Sequence, residues 1–337
     1  MRKITYILLG WLFLSCCGQK PAADTTAIPV AEVRNASSVP EFNADSAYAY
    51  VERQVRFGPR VPNTPAHKAC ARHLASELER FGAKLYVQET VLTAYNGDRL
   101  QASNIIGAFN PEKTQRVMLF AHWDSRPYAD HDADPAHHRR PIDGADDGAS
   151  GVGVLLEIAR QISRSGFDGG IDILFFDAED YGIPEFLKES KLDTWCLGSQ
   201  FWAQHPHLPG YSAQYGILLD MVGARGATFY KEYTSVRYAA PMVENVWTTA
   251  RSLGYGKYFI NRNGGNVVDD HLYVIRGRNI PCLDIINYDP DSPLGFGHYW
   301  HTQHDTMDNI DRETLKAVGQ TLLHVLFNHE SSNMILP

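Results

Sequence analysis

Cysteine is scarce in this sequence, and beyond one adjacent pair near the amino terminus its positions form no motif. The 337 residues include five cysteines, of which Cys16 and Cys17 are adjacent near the amino terminus. The other three, Cys70, Cys196 and Cys282, are far apart and form no Cys-x-x-Cys motif. This pattern excludes a disulfide framework and a thiolate zinc site, and Cys196 and Cys282 are expected to be small buried apolar residues.

Runs of lysine and arginine are also absent. The chain has 31 Lys and Arg against 39 Asp and Glu, which gives a formal net charge of −8. Nucleic-acid-binding proteins carry basic patches, so we expect no nucleic-acid partner. The content of 44% hydrophobic and 21% charged residues is ordinary for a globular protein that can bury a large core.

The apolar stretch at the amino terminus, residues 4–14, is too short to span a membrane comfortably. It follows two positive residues and ends at Leu14, just before Cys16 and Cys17. This segment resembles the lipobox of a bacterial lipoprotein signal, in which the cysteine after the cleavage site carries lipid. Cys17 fits better than Cys16, because Leu14 then lies three residues before the lipid carrier. The alternative is an ordinary secretory signal, and both interpretations predict an exported protein.

We therefore divide the chain into residues 1–16 as a lipoprotein-type signal peptide, 17–41 as a disordered tether and 42–337 as one catalytic domain. The tether is rich in Ala, Thr, Ser and Pro and shows no apolar periodicity. The domain alternates helical patterns with short apolar runs and has no internal repeat. This order predicts an α/β fold, a single domain with a central, mostly parallel mixed β-sheet flanked by helices. We expect a monomer in the periplasm or cell envelope that touches the membrane through its lipid only.

Acidic residues follow one of the apolar runs directly. Residues 171–176 are rich in β-branched and aromatic side chains, which predicts a buried parallel strand, and Asp177, Glu179 and Asp180 come next. Open α/β sheets bind ligands at the carboxyl ends of their strands. Three carboxylates there repel one another unless a proton or a divalent metal lies between them. For one isolated site, a solvated acidic turn explains the pattern equally well.

The same pattern recurs along the chain, which favours a metal site. His122 and Asp124 follow a predicted strand and point to the same side of an extended segment, as a metal ligand and its orienting carboxylate do. Asp220 and, further on, His301 follow two other predicted strands. Asp147 precedes a predicted helix, where simple capping is the alternative. Oxygen and imidazole ligands without thiolate favour zinc in a catalytic site that keeps an open position.

Glu179 is expected to have a different role from the adjacent Asp180. If Asp180 binds the metal, the adjacent Glu179 is turned aside from it. A carboxylate beside a metal, but not bound to it, is placed to act as the general base.

The motifs, taken in order, resemble the M28 zinc-peptidase clan over roughly residues 46–329. They are His-x-Asp, Gly-Ala-x-Asp-x-Ala-Ser-Gly, Asp-x-Glu-[Glu/Asp], Leu-Asp-Met-Val-Gly and [Trp/Tyr]-His-Thr. Within this clan the chain is more similar to the glutaminyl-peptide cyclotransferases (glutaminyl cyclases), particularly exported bacterial ones, in residues 176–180, 195–200, 269–271 and 297–302. The resemblance implies an M28 zinc aminopeptidase-like fold and the conversion of N-terminal glutamine in peptides or proteins to pyroglutamate, with release of ammonia.

The resemblance also implies residue roles. Asp147, Asp180 and His301 would bind one zinc ion per chain, which acts as a Lewis acid, and Glu179 would transfer the proton. Trp300 would form a wall of the glutamine pocket.

Two further acids complete the implied set. Asp220 and Asp269 would form a hydrogen-bonded pair that shares a proton beside Glu179. His122 and Asp220 would hold a second zinc in the aminopeptidases, so His122 and Asp124 are either second-metal residues or groups behind the first metal.

The sequence departs from the mammalian relatives at two places. Asp180 stands where they have Glu, which moves either the metal or the backbone. Residues 181–194 match their pocket loop poorly, so Phe186, Trp195 and Trp123 all remain candidates for a second aromatic wall.

Two alternatives stay open at this point. An M28-type zinc aminopeptidase would use the same scaffold with two zinc ions to activate water. A surface-anchored binding protein without activity is the other, although such proteins usually lose a ligand or the base, and both are intact here. Five histidines are interpreted as structural or solvated: His131, His137, His138, His304 and His324.

Overall fold

The central sheet has six strands, and its order brings the carboxyl ends of four parallel strands side by side. This computed structural model describes residues 39–189, 191 and 193–333. The strand order is β1-β2-β4-β3-β5-β8, with β3, β4, β5 and β8 parallel and β1 and β2 antiparallel at one edge. The strands, with a separate pair β6 and β7, are β1 (Lys84–Thr93), β2 (Arg99–Phe109), β3 (Arg116–His122), β4 (Gly170–Phe176), β5 (Tyr215–Asp220), β6 (Phe229–Lys231), β7 (Phe259–Asn263) and β8 (Cys282–Ile286).

Helices cover both faces of this sheet. One hydrophobic core lies between the sheet and α1, α2, α3, α5 and α7, and a second core lies between its other face and α4 and α6. The helices are α1 (Ala44–Val55), α2 (Pro65–Arg80), α3 (Ala149–Ser165), α4 (Leu197–Gln204), α5 (Tyr233–Ser252), α6 (Asp270–Arg278) and α7 (Arg312–Asn333). The predicted fold class is confirmed: a single α/β domain with a mixed sheet between two helical layers.

Strand β4 shows why the apolar run forms a central strand. Ile171, Ile173 and Phe175 face the larger core, whereas Leu174 and Phe176 face the smaller one. Every residue of β4 is buried. A strand covered on both faces needs apolar residues at successive positions rather than at alternate ones. The run therefore stops where the sheet ends and the acidic residues begin.

Several boundaries differ from the sequence-based expectation for physical reasons. Helix α5 begins eight residues before the predicted start at Pro241, because the Glu232 carboxylate caps the N–H groups of Thr234 and Ser235. The backbone then kinks at Ala239 (φ −136°), which accommodates the proline inside the helix. The short pair β6 and β7 was not predicted, because β7 is largely exposed and lacks an apolar run.

The predicted signal peptide, the lipid-bearing cysteine and most of the predicted tether lie outside the described residues. Within the described part of the chain, none of the helices combines the length and apolar character needed to cross a membrane.

Candidate metal and active site

The structure brings the predicted polar residues together at the carboxyl edge of the sheet. His122 ends β3, Asp220 ends β5, and Asp180 lies just beyond β4. Asp147 precedes the first turn of α3, and His301 comes from the loop after β8. These five residues form two groups that share Asp147. The groups are Asp147 with Asp180 and His301, and Asp147 with His122 and Asp220.

A glycine lets α3 approach β3 closely enough to join these residues. Gly148, the residue before α3, has φ +96°, which side chains rarely tolerate. A Cβ atom at Gly148 would lie 2.3 Å from the Asp124 carbonyl oxygen and 3.1 Å from the His122 ring. The glycine next to Asp147 is therefore required by the packing of the site itself.

Two aspartates fix the backbone of the candidate ligands. Asp124 accepts hydrogen bonds from the N–H groups of Glu179 (3.1 Å) and Asp180 (3.2 Å). Asp305 accepts from the N–H of Asp147 (3.1 Å) and of the residue before it. Asp124 was expected either to belong to a second metal site or to position the ligands of the first metal. Its hydrogen bonds to the backbone favour the positioning role. The role of Asp305 was not predicted, because an acid in a polar loop gives no spacing signal.

The first group has the spacing of a zinc site. His301 Nε2 lies 3.3 Å from Asp180 Oδ1 and 3.5 Å from Asp147 Oδ2. Ligands about 2.0–2.1 Å from a tetrahedral zinc are separated by about 3.3–3.4 Å. The second oxygen of Asp180 is buried and has no hydrogen-bond partner. Two carboxylates and one imidazole at these distances fit zinc.

The charges of this group also fit a cation. Burial, followed by repulsion from Asp147, raises the pKa of Asp180 well above its usual value. Burial, together with the nearby Arg126, lowers the pKa of His301 well below its usual value, so its imidazole is neutral. Metal ligation needs a neutral imidazole, and crowded carboxylates need a positive partner. The neutral His301 is therefore in the state that metal binding requires, and a bound cation would relieve the repulsion between the Asp147 and Asp180 carboxylates.

In the second group, the imidazole of His122 already lies within hydrogen-bonding distance of its carboxylate neighbours. His122 Nε2 lies 3.0 Å from Asp147 Oδ1 and 3.2 Å from Asp220 Oδ1, and its Nδ1 lies 3.4 Å from Asp124 Oδ1. Burial opposes protonation of His122, but these three carboxylates outweigh it and raise its pKa well above the usual value. A protonated imidazole can thus supply positive charge where a second metal would lie.

Glu179 and Asp269 border the cavity without joining the first group. Burial and neighbouring carboxylates, Asp269 among them, raise the pKa of Glu179 well above its usual value. Burial and repulsion from Asp220 do the same to Asp269. Asp220 Oδ1 lies 3.2 Å from His122 Nε2, and Asp269 accepts a hydrogen bond from the N–H of Asp270. The proton shared between Asp220 and Asp269 stays a prediction. The Asp269 Oδ2 atom is buried without a partner.

Arg126 is a residue of the site that the sequence did not single out. It is fully buried, and its guanidinium forms two hydrogen bonds with Asp130 (2.7 and 2.6 Å). Asp130 Oδ1 in turn lies 3.7 Å from His301 Nδ1. Arg126 also lies 4.5 Å above the ring of Trp195. A single arginine thus connects the carboxylate behind His301 with an aromatic wall of the cavity.

A cavity of about 270 Å³ opens onto these residues. Its lining combines five carboxylates with apolar and aromatic side chains. Trp195 and Trp300 both line it, so Trp195 is the one of the three candidates for a second aromatic wall that borders this cavity. The role of Trp300 in binding glutamine stays a prediction. The lining residues with apolar or aromatic side chains are Trp195, Met221, Val267, Val268, Ile286, Tyr288, Leu294, Phe296 and Trp300.

The other two candidates for an aromatic wall, Trp123 and Phe186, are not among the lining residues of the cavity, whereas one histidine contacts its wall. Trp123 is buried and stacks on His67 at 4.5 Å, and Phe186 packs against Tyr128. His131, interpreted from sequence as structural or solvated, stacks on Trp300 with 4.6 Å between ring centroids. It therefore supports the pocket wall from behind, a contact that no sequence spacing indicates.

Comparisons with known proteins agree with this arrangement. The sequence model of peptidase family M28 matches residues 104–326. The glutaminyl-peptide cyclotransferase of Bos taurus is 28% identical over 289 residues, covering 78% of this chain and 76% of the bovine protein. The structure of Tannerella forsythia glutaminyl cyclase is 74% identical with a TM-score of 0.85, covering 86% of this chain and 99% of that one. A Zn-dependent exopeptidase from Parabacteroides distasonis is 69% identical with a TM-score of 0.86, covering 86% of this chain and 100% of that one.

Proposed function

The chain belongs to peptidase family M28 and to its glutaminyl cyclases, and we propose that it converts N-terminal glutamine of peptides and proteins to pyroglutamate. One observation carries the proposal. The chain is 74% identical to a glutaminyl cyclase over nearly all of that enzyme's structure. The site agrees with it, because Asp180 joins the Asp147 and His301 group while the adjacent Glu179 faces the cavity.

We propose a single zinc ion per chain, held by Asp147, Asp180 and His301. The spacing of these three ligands supports this site. The contact between His122 and Asp220 supports a single ion, because these two side chains bind each other where a second zinc would lie. Bound there, zinc supplies Lewis-acid polarisation of the substrate's γ-carboxamide oxygen.

The protein residues have separate tasks in the proposed reaction. The α-amine of the substrate attacks its own γ-carboxamide carbon, so a carbon–nitrogen bond forms within one residue and proximity supplies much of the rate. Glu179 accepts a proton from the attacking amine and delivers it to the departing amide nitrogen. The carbon–nitrogen bond of the carboxamide breaks, and ammonia leaves. Asp269 lies beside Glu179 and raises the pKa of this base, and Asp220 in turn raises the pKa of Asp269.

The shape of the cavity supports a small N-terminal residue as the bound group. Trp195 and Trp300 provide flat apolar faces on which the aliphatic part of glutamine can pack. The cavity lining contains five carboxylates and no lysine or arginine. This charge favours the amino group of a free N-terminus.

An M28-type zinc aminopeptidase is the second candidate, because His122, Asp147 and Asp220 could hold another metal ion. With two metal ions the site would activate water and release the first residue. The similarity to a Zn-dependent exopeptidase supports this candidate, but the higher identity to a glutaminyl cyclase favours cyclisation.

We further propose that the protein is an exported monomeric lipoprotein of the cell envelope, anchored through Cys17 or Cys16. The resemblance of residues 1–16 to a lipoprotein signal supports this. Incorporation of labelled fatty acid into the full chain, lost in Cys17→Ala but kept in Cys16→Ala, would identify the lipid carrier. Absence of lipid from the full chain would contradict it.

Ammonia release tests the activity directly. Zinc-loaded protein should release ammonia from a peptide that begins with glutamine. It should release none from the same peptide with an acetylated α-amine, because the nucleophile is then blocked. Ammonia from both peptides would indicate hydrolysis of the side-chain amide and would contradict the proposal.

A further inference from the structure

The thiol of Cys196 lies beside the carboxylate that we assign as the base. Its Sγ atom is 3.1 Å from Glu179 Oε1, and Cys196 is fully buried. Among the hydrogen bonds of the described residues, this thiol is the only side-chain donor to the Glu179 carboxylate. One carboxylate oxygen, Oε1, is therefore held by the protein, and the Glu179 side chain also lines the cavity.

The backbone fixes the thiol in this place. The N–H of Cys196 donates to the Glu179 carbonyl oxygen (2.8 Å), and the N–H of Leu197 donates to that of Ala178 (3.1 Å). Cys196 itself has φ +57° and ψ +34°, a left-handed conformation that residues with side chains rarely adopt. Such strain persists where the surroundings impose it, and it is concentrated at functional sites. Ala178, immediately before Glu179, is also left-handed at φ +53°.

The thiol can act only as a donor to this partner. Burial, followed by repulsion from Glu179 and neighbouring carboxylates, raises the pKa of the Cys196 thiol well above its usual value. It therefore stays protonated at neutral pH. When Glu179 is ionised, as a base must be, its oxygens can only accept, so the S–H group of Cys196 and Glu179 Oε1 form a matched pair.

We propose that Cys196 is a positioning residue whose thiol holds one oxygen of Glu179, so that the other oxygen is aimed at the substrate amine. The proposal rests on the proposed function, in which Glu179 transfers the proton. A small error in the placement of a reacting group can reduce the rate strongly, so this hydrogen bond acts mainly on the chemical step.

Two substitutions and a matched control test this role. Cys196→Ala removes the donor and should lower kcat about tenfold, the size expected for one hydrogen bond to a charged group, with KM nearly unchanged. Cys196→Ser restores a donor and should recover most of kcat. Cys282→Ala removes an equally buried thiol that donates to the Ile280 carbonyl oxygen, and it should leave kcat unchanged. A wild-type kcat in Cys196→Ala, or an equal loss in Cys282→Ala, would overturn the proposal.

A spectroscopic measurement keeps the test independent of turnover and of the stability of the alanine variant. The difference between Raman spectra of the wild type and Cys196→Ser isolates the S–H stretching band of Cys196. In Glu179→Gln a neutral amide replaces the charged acceptor, so this band should move to higher frequency. An unchanged band would refute the contact even if the protein proves to be an active cyclase. A shifted band in a protein without cyclase activity would leave the contact standing and reject the proposed function instead.

Discussion

The guanidinium of Arg126 lies against the candidate metal ligand Asp180. Its Nη1 atom is 3.3 Å from the Asp180 Oδ1 atom and 3.1 Å from the Asp180 carbonyl oxygen. The same guanidinium forms two hydrogen bonds with Asp130, which faces His301. Asp180 has a short side chain, with one methylene fewer than glutamate. The arginine therefore fixes the direction of a short ligand through both its side chain and its backbone.

Arg126→Lys should weaken zinc binding although it keeps the positive charge. A lysine ammonium cannot bond both Asp130 oxygens and Asp180 in the fixed fork geometry of arginine. Loss of a partner behind the ligands typically reduces metal affinity about 10–100-fold, and we expect a loss in this range from chelator competition. Arg139→Lys is the control, because Arg139 stacks on Phe186 away from the ligands. Unchanged zinc retention in Arg126→Lys would contradict the positioning role.

Glu179→Gln should abolish turnover while zinc remains bound. The amide is nearly the same size as the carboxylate but cannot accept the proton, and general-base catalysis typically contributes 10²–10⁴-fold, so a loss of about that size is expected. Steady-state kinetics and metal analysis of the same preparation measure both properties. Glu185→Gln, at an exposed position on the following loop, should change neither. Loss of zinc from Glu179→Gln would mean that Glu179 is itself a ligand.

Trp300→Ala should raise KM more than it lowers kcat. The Trp300 ring stacks on His301 and His131 and forms a wall of the cavity, so its loss removes binding surface without removing the base. We expect KM to increase roughly tenfold, as for a lost buried aromatic contact, and Trp300→Phe to recover much of it. An unchanged KM in Trp300→Ala would exclude Trp300 from the glutamine pocket.

The sequence predicted the central elements because their physical signals are local. The apolar run 171–176 and the acids after it could be recognised from residue types alone, since a strand covered on both faces needs an uninterrupted apolar run. The edge position of Asp147, Asp180, Asp220 and His301 follows from the rule that parallel strands end together. These parts of the fold and site needed no contact information.

The remaining parts of the site depend on contacts between distant segments. Arg126 and Asp130 lie in a polar loop, and only the folded chain shows that they adjoin Asp180 and His301. Cys196 was expected to be a small buried residue, which it is, but its contact with Glu179 arises from a left-handed backbone that its sequence does not predict. Long-range packing, rather than propensity, determines these positions.

His207 should make the folded state sensitive to mild acid. Burial lowers the pKa of His207 from 6.5 to about 4, and its Nδ1 accepts a hydrogen bond from Trp202 Nε1 (3.2 Å). As the pH falls, His207 is therefore protonated in the unfolded chain before it is protonated in the folded protein. The stability that neutral His207 contributes is complete above pH 6.5 and is lost as the pH falls towards 4.

Urea unfolding at pH 7 and pH 4.5 measures this effect. The aromatic ring of Phe can fill the space between Tyr86 and Tyr211, where the His207 ring packs at a tilt, but it cannot be protonated. His207→Phe should therefore show a smaller drop in the free energy of unfolding between the two pH values than the wild type, by at least about 1 kcal/mol. An identical drop in both proteins would show that His207 does not titrate in this window.

The mass of the product from a glutamine-initiated peptide tests the central claim most directly. Zinc-loaded protein should yield a peptide of unchanged length whose mass is lower by one ammonia, with no free amino acid released. Release of free glutamine with a peptide one residue shorter would contradict it. His122 and Asp220 would then be ligands of a second metal ion, and the protein would be an aminopeptidase.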